Sequence, residues 1–227
     1  MQRHFDEELV HLKEQLLLMA GKVELLIVKS IQSLTERNSS LAQEVLKEDE
    51  NIDLMENEID NICLRLLALH QPAAIDLRFI MASILINNNL ERMADQAVNI
   101  AERAMELNEM PTLKPLIDIP RMSTIAQAMT KESLDAFVNR DAKKAEAVRK
   151  RDSELDNLNE QVFRELLTYM MSDTHTIARA VHLMLIARNL ERIGDHATNI
   201  GEEVIFMVQG EIVKHTPPDI SVPQRNN

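Results

Sequence analysis

The sequence predicts an all-α protein built as two tandem antiparallel three-helix bundles, elongated and related by an internal repeat. Three observations carry this. The composition is one: 45% hydrophobic residues can build a core, but with 3% aromatics, no Trp and four Gly the chain is poor in strand formers and turn residues. It is rich instead in Leu, Met, Ala, Glu and Arg, which favour helices. The second is a duplication. The segment NNLERMADQAVNIAE from Asn88 returns as RNLERIGDHATNIGE from Arg188, identical at nine of fifteen positions. The third is apolar spacing with a helical period, punctuated by prolines.

Each element follows in order. Leu9, Leu12, Leu16, Met19, Val23 and Leu26 recur at helical spacing, so a first helix is expected from about Phe5 to Glu36. Asn38 and Ser39 offer N-caps for a second, running to about Leu69, where Pro72 ends the pattern. A third is expected from about Ala74 to Leu107. Pro111, Pro115 and Pro120 then mark a linker over residues 109–121. The second half repeats the scheme: about Met122 to Val138, about Ala142 to Met170 behind an Asp141 N-cap, and about Thr174 to Val208. Residues 1–108 and 122–210 are thus the two bundles, expected in series. Residues 211–227, with three prolines, are expected to be a disordered tail.

Charge narrows the function classes. A net charge of -12 opposes nucleic-acid binding through a surface field, and disfavours anionic membrane surfaces. The most apolar stretch, Leu16 to Val28, is interrupted by Lys22 and Glu24, so no membrane insertion is expected. The N-terminal residues lack the apolar core of a signal peptide. A single cysteine, Cys63, allows no internal disulfide, in keeping with a reducing cytoplasm.

What the two repeats keep is mostly polar: Glu91/Glu191, Arg92/Arg192, Asp95/Asp195, Asn99/Asn199 and Glu102/Glu202. A structural helix would keep its apolar stripe and let its charges drift, yet Met93 has become Ile193 and Val98 has become Thr198. At about 100° per residue, Glu91, Asp95 and Glu102 fall within roughly 40° of one another, interleaved with Ile84 and Val98. Glu191, Asp195 and Glu202 share such a stripe with Met184 and Ile205. A solvated acidic face would sit opposite the apolar one. The preceding helix of each half adds Asp49 and Asp53, or Asp152 and Asp156. In an antiparallel pair the two motifs converge at one level. Gathered carboxylates repel, and a hard cation such as Mg, Ca, Mn or Fe is the simplest compensation for an all-oxygen donor set. The candidate metal residues are therefore Asp49, Asp53, Glu91, Asp95, Glu102, Asp152, Asp156, Glu191, Asp195 and Glu202. His182 and His196 fall on the far side of the wheel, and zinc is disfavoured without His or Cys ligands.

Competing chemistries are poorly supported. A carboxylate-bridged oxidase or metal store is the alternative, but it uses paired Glu-x-x-His motifs, and the chain has one, Glu8 to His11. The methionines read as core filler. No Gly-rich phosphate loop and no nucleophile–base arrangement is signalled.

The chain resembles the PhoU family of phosphate-transport accessory regulators. The resemblance runs from HFDEEL at His4 through LALHQPAAIDLR at Leu67 to LERIGDHATNI at Leu190. It implies two three-helix bundles in pseudo-twofold relation, with metal clusters on the acidic motifs in at least some members. It also implies a non-enzymatic, cytoplasmic regulator linking the ATP-binding subunit of a phosphate ABC transporter to a sensor histidine kinase, and restraining both when phosphate is plentiful. A homodimer is expected from the long exposed helices. One departure from the repeat is Ala94 in the first motif where the second has Gly194.

Overall fold

A computed structural model describes residues 2–214. Six α-helices account for most of them: α1 (Gln2–Thr35), α2 (Ser39–His70), α3 (Ala74–Asn108), α4 (Asp118–Asn139), α5 (Ala142–Ser172) and α6 (Ile177–Gln209). A single 3-10 turn, Thr174–Thr176, leads into α6, and no strand occurs among the described residues. The all-α reading and the tandem three-helix bundles stand. The expected tail beyond residue 214 lies outside the described residues.

The two halves close their first hairpins alike. Arg37 and Arg140 both take left-handed backbone, at φ 53° and 52°. Asn38 N–H then donates to Ser33 O at 2.9 Å, and Asp141 N–H to Ala136 O at 2.9 Å, so the last carbonyls of α1 and α4 are satisfied. Asn38 and Asp141 go on to cap the next helices: Asn38 Oδ1 accepts from Ser40 N–H at 3.1 Å, and Asp141 Oδ1 from Lys143 and Lys144 N–H at 3.0 Å. Left-handed backbone is unfavourable for arginine. Arg37 offsets it by donating to Asn108 O at 2.5 Å and Met110 O at 2.7 Å, which also anchors the linker.

α4 starts at Asp118, a turn before the expected Met122. The linker is therefore shorter than residues 109–121: Pro120 occupies the first turn of α4, where a missing N–H breaks no helical bond.

The bundles lie side by side and not in series. α3 runs antiparallel along α6, bringing Glu106 to His182 at 3.1 Å near one end, Asn89 to His196 at 3.0 Å midway, and Arg78 Nε–H to Met207 O at 3.3 Å near the other. Phe79 of α3 stacks on Phe137 of α4 at 5.7 Å, and the Thr130 hydroxyl reaches Met93 Sδ at 4.0 Å. One hydrophobic core therefore runs through both halves, including the expected Leu12, Leu16, Met19, Val23 and Leu26 of α1.

Gly21 sits exposed in the middle of α1, and a Cβ built there meets no atom within 4 Å. Glycine in a helix interior costs about 0.5–1 kcal/mol relative to alanine. Gly21→Ala is expected to stabilise the single chain by that amount, read as a rise in the urea midpoint at unchanged slope under conditions that keep the protein monomeric; a fall in the midpoint there would mean that Gly21 is packed within the chain.

Candidate carboxylate clefts

The carboxylates of each half meet in register. α2 and α3 run antiparallel, so Asp49 lies near Asp95, and Asp53 near Glu91. In the second half Asp152 and Asp156 of α5 face Glu191 and Asp195 of α6. Eight of the ten candidate residues thus form two quartets, one per bundle.

Their electrostatics are those of crowded, half-buried acids. Burial, then the Asp95 charge, pushes Glu91 up to about 7. Burial, then Glu191, Asp152 and Asp156, pushes Asp195 up to about 7 as well. Asp49, Asp152 and Glu191 are raised too, burial being the largest cause in each. Arg92 lies 3.4 Å from Glu91 and 3.3 Å from Asp95. Even so, Glu91 Oε2 is buried without a hydrogen-bond partner. In the second half Thr198, the counterpart of Val98, donates its hydroxyl to Asp152 at 3.3 Å.

The remaining two candidates stand apart. Glu102 and Glu202 lie two helical turns beyond Asp95 and Asp195, about 10 Å along the axis. Glu102 is exposed, 3.9 Å from Arg103. Glu202 lies 3.4 Å from Arg149, a buried arginine that also meets Glu146 at 2.7 Å. The helical wheel put them on the same stripe but not at the same height.

Glu56, one turn beyond Asp53, joins the first cleft although it is not among the ten candidates. It is raised by burial and by Asp60, and its charge is felt at Glu91. In sequence Asp60 continues the same acidic run, so Glu56 resembles part of a solvent face. The counterpart of Glu56, Asn159, borders a hollow of about 410 Å3 with Asp156, Phe163, Met184 and Arg188, an open groove beside the second quartet.

The donor chemistry fits a hard cation: the quartets contain only carboxylate oxygens, several of them on acids raised by burial and by one another, and one of those oxygens is a buried acceptor without a hydrogen bond. The side-chain placement is looser than a finished site. Among the described residues no group of three or more His, Cys, Asp or Glu is arranged to enclose an ion. Arg92 and Thr198 take up carboxylates that would have to swing inward. The histidines are committed elsewhere: His182 to Glu106, and His196 to Asn89, with burial lowering His196 to about 4. Glu8, of the single Glu-x-x-His, is held by His70 at 2.7 Å.

These features define a class: an all-helical protein of two fused three-helix bundles, each with an acidic cleft on its second and third helices. The PhoU domain model matches twice, over residues 16–104 and 119–204, and the chain belongs to the PhoU family. It is 41% identical over 221 residues to a "Phosphate-specific transport system accessory protein PhoU homolog" of Caulobacter vibrioides, covering 97% of this chain and 96% of that protein. A protein of Aquifex aeolicus with the same description is 46% identical over 209 residues, covering 92% of this chain and 95% of that one. The fold matches the crystal structure of PhoU from Pseudomonas aeruginosa with a TM-score of 0.89 at 39% identity, over 91% of this chain and all of that one. It matches the phosphate transport system regulatory protein PhoU from Streptococcus pneumoniae with a TM-score of 0.85 at 27% identity, over 92% of this chain and 99% of that one.

Proposed function

We propose that the protein is a cytoplasmic, non-enzymatic adaptor of phosphate homeostasis. It restrains a phosphate ABC transporter, through its ATP-binding subunit, and a sensor histidine kinase when phosphate is plentiful. The observation that carries this reading is the near end-to-end similarity to relatives named for accessory roles in phosphate-specific transport. No helix among the described residues is long and apolar enough to cross a membrane. Deleting the protein in its host should raise a phosphate-starvation reporter in high phosphate. Unchanged output there would end the adaptor reading.

Each acidic cleft is proposed to hold one or more hard cations, through Asp49, Asp53, Glu91 and Asp95 in the first bundle and Asp152, Asp156, Glu191 and Asp195 in the second. Such an ion would neutralise the crowded charge and stiffen the helix pair. The metal-enzyme or metal-store alternative gains nothing from the structure, because Glu8 is engaged by His70.

The functional unit is proposed to be a homodimer that covers α1. Val10, Leu17, Leu18 and Leu25 lie 36% to 57% exposed along one face of that helix, an apolar stripe suited to a second copy. Leu18→Glu is expected to convert the dimer to a monomer with the helical content intact. Light scattering coupled to gel filtration reads the mass; a mass unchanged by the substitution would place any dimer contact elsewhere.

A further inference from the structure

We propose that a second, cationic site lies between the bundles, on the seam of α3 and α6, and that it takes a phosphoryl oxyanion. A cavity of about 300 Å3 opens there, with Gln96, Asn99 and Arg103 contributed by α3 and Arg188, Asn189 and Arg192 by α6. Three guanidinium groups converging on one hollow are unexpected in a chain of net charge -12. In such a chain an arginine on a helix ordinarily finds a carboxylate one turn away, as Arg92 does. Arg103 is so paired, with Glu106 at 2.8 Å. Arg188 and Arg192 act on Glu191, and Arg192 on Asp195, only at longer range; neither has a carboxylate within ion-pair distance among the described residues, so both guanidinium groups keep N–H donors for an anion in the hollow.

The neutral donors point the same way. The side-chain amide of Gln96, only 6% exposed, makes no hydrogen bond among the described residues, so its N–H end is available to the hollow. A buried amide left unmatched costs free energy unless something fills the site. Asn189 makes no side-chain hydrogen bond among the described residues either. Planar guanidinium forks flanked by amide N–H groups are the donor set that suits the oxygens of a phosphoryl group.

The internal repeat supplies a built-in contrast. On the other side of the pseudo-twofold axis the corresponding residues are His196, Asn199, Glu203, Asn88, Asn89 and Arg92. There the polar groups satisfy one another: Asn89 Oδ1 meets His196 Nδ1 at 3.0 Å and Asn199 Nδ2 at 3.3 Å. Arg92 is turned to Glu91 and Asp95, and Glu203, in the place of Arg103, pairs with Lys214 at 2.7 Å. One seam is closed on itself; on the other Asn99 donates to Asp95 O at 2.9 Å and Arg103 pairs with Glu106, while Arg188, Arg192, Gln96 and Asn189 line the cavity without a direct partner among the described residues. The site would bind its anion whether or not the protein restrains transport, so either reading can fail without the other.

Calorimetric titration of the full chain, with chelator present to exclude phosphate carried by metal, tests the site. The probes are inorganic phosphate, a hexose phosphate and sulfate. Saturable binding of either phosphate probe is expected, weakened at least about tenfold in R103Q/R188Q and unchanged in R92Q on the opposite seam. Tighter binding of inorganic phosphate identifies the free ion as the ligand, and tighter binding of the hexose phosphate an organic ester; both support the site. The proposal is overturned if neither phosphate saturates by about 10 mM, if the R103Q/R188Q protein binds like wild type, or if sulfate binds equally well. Thermal melts of both variants check folding, and the exposed positions of Arg188 and Arg92 should leave the melts unchanged.

Discussion

Replacing Glu191 and Asp195 together by Gln and Asn is expected to strip the second bundle of its metal and to flatten the pH dependence of stability. The substitutions keep side-chain size and remove two of four charges. Protein purified without chelator should lose the ion content belonging to that bundle and retain that of the first; identical metal content before and after would refute the ligand assignment. The stability arm follows from the raised acids. Asp195 and Glu91 titrate near 7 in the folded chain, against ordinary values of 3.8 and 4.5. Between those limits the folded state holds more protons than the unfolded one. Stability therefore falls as pH rises from about 4 to about 7, and the penalty is complete above the folded values. With solvent screening of these half-buried groups it amounts to about 1–2 kcal/mol each. In chelator, urea unfolding of the wild type should show lower stability at about pH 8 than at about pH 5.5. The double variant should lose the Asp195 share, and cation added at the higher pH should restore the wild type alone. A wild type more stable at the higher pH in chelator would show that these acids are not crowded.

Phe137→Ala is expected to cost about 3–5 kcal/mol. The ring is 2% exposed and stacks on Phe79 of the other bundle, with 10° between the ring planes. The guanidinium of Arg140 lies 5.9 Å from the Phe79 ring centre, so the Phe79 ring is met by both Phe137 and Arg140. For a chain of this size that loss lowers Tm by roughly 10 °C. Because the contact joins α3 to α4, one cooperative transition should shift as a whole. A drop under about 1 kcal/mol, or a split into two transitions, would mean that the bundles fold independently.

The helices and the quartets were legible in the sequence because both are local or periodic. Asn38 and Asp141 announce helix starts by side-chain chemistry alone, and the spacing of Leu12, Leu16, Met19 and Val23 fixes the buried face of α1. Duplication made the acids stand out: drift had altered Met93 and Val98 in the other copy while leaving Glu91 and Asp95. An antiparallel hairpin then converts two i, i+4 pairs into one quartet with little freedom.

Tertiary structure decided the rest. A helical wheel records angle and not height, so it could not separate Glu202 from Asp195; Arg149, from a different helix, claims Glu202. Pro120 read as a break because a local pattern does not state which turn of a helix a proline will occupy. The side-by-side packing of α3 on α6 depends on which apolar faces remain uncovered after each bundle closes, a property of the folded surface. The same packing sets Arg188 and Arg192 against Gln96 and Arg103, residues more than eighty positions apart. Nothing in either segment alone marks that seam as a place where cations gather.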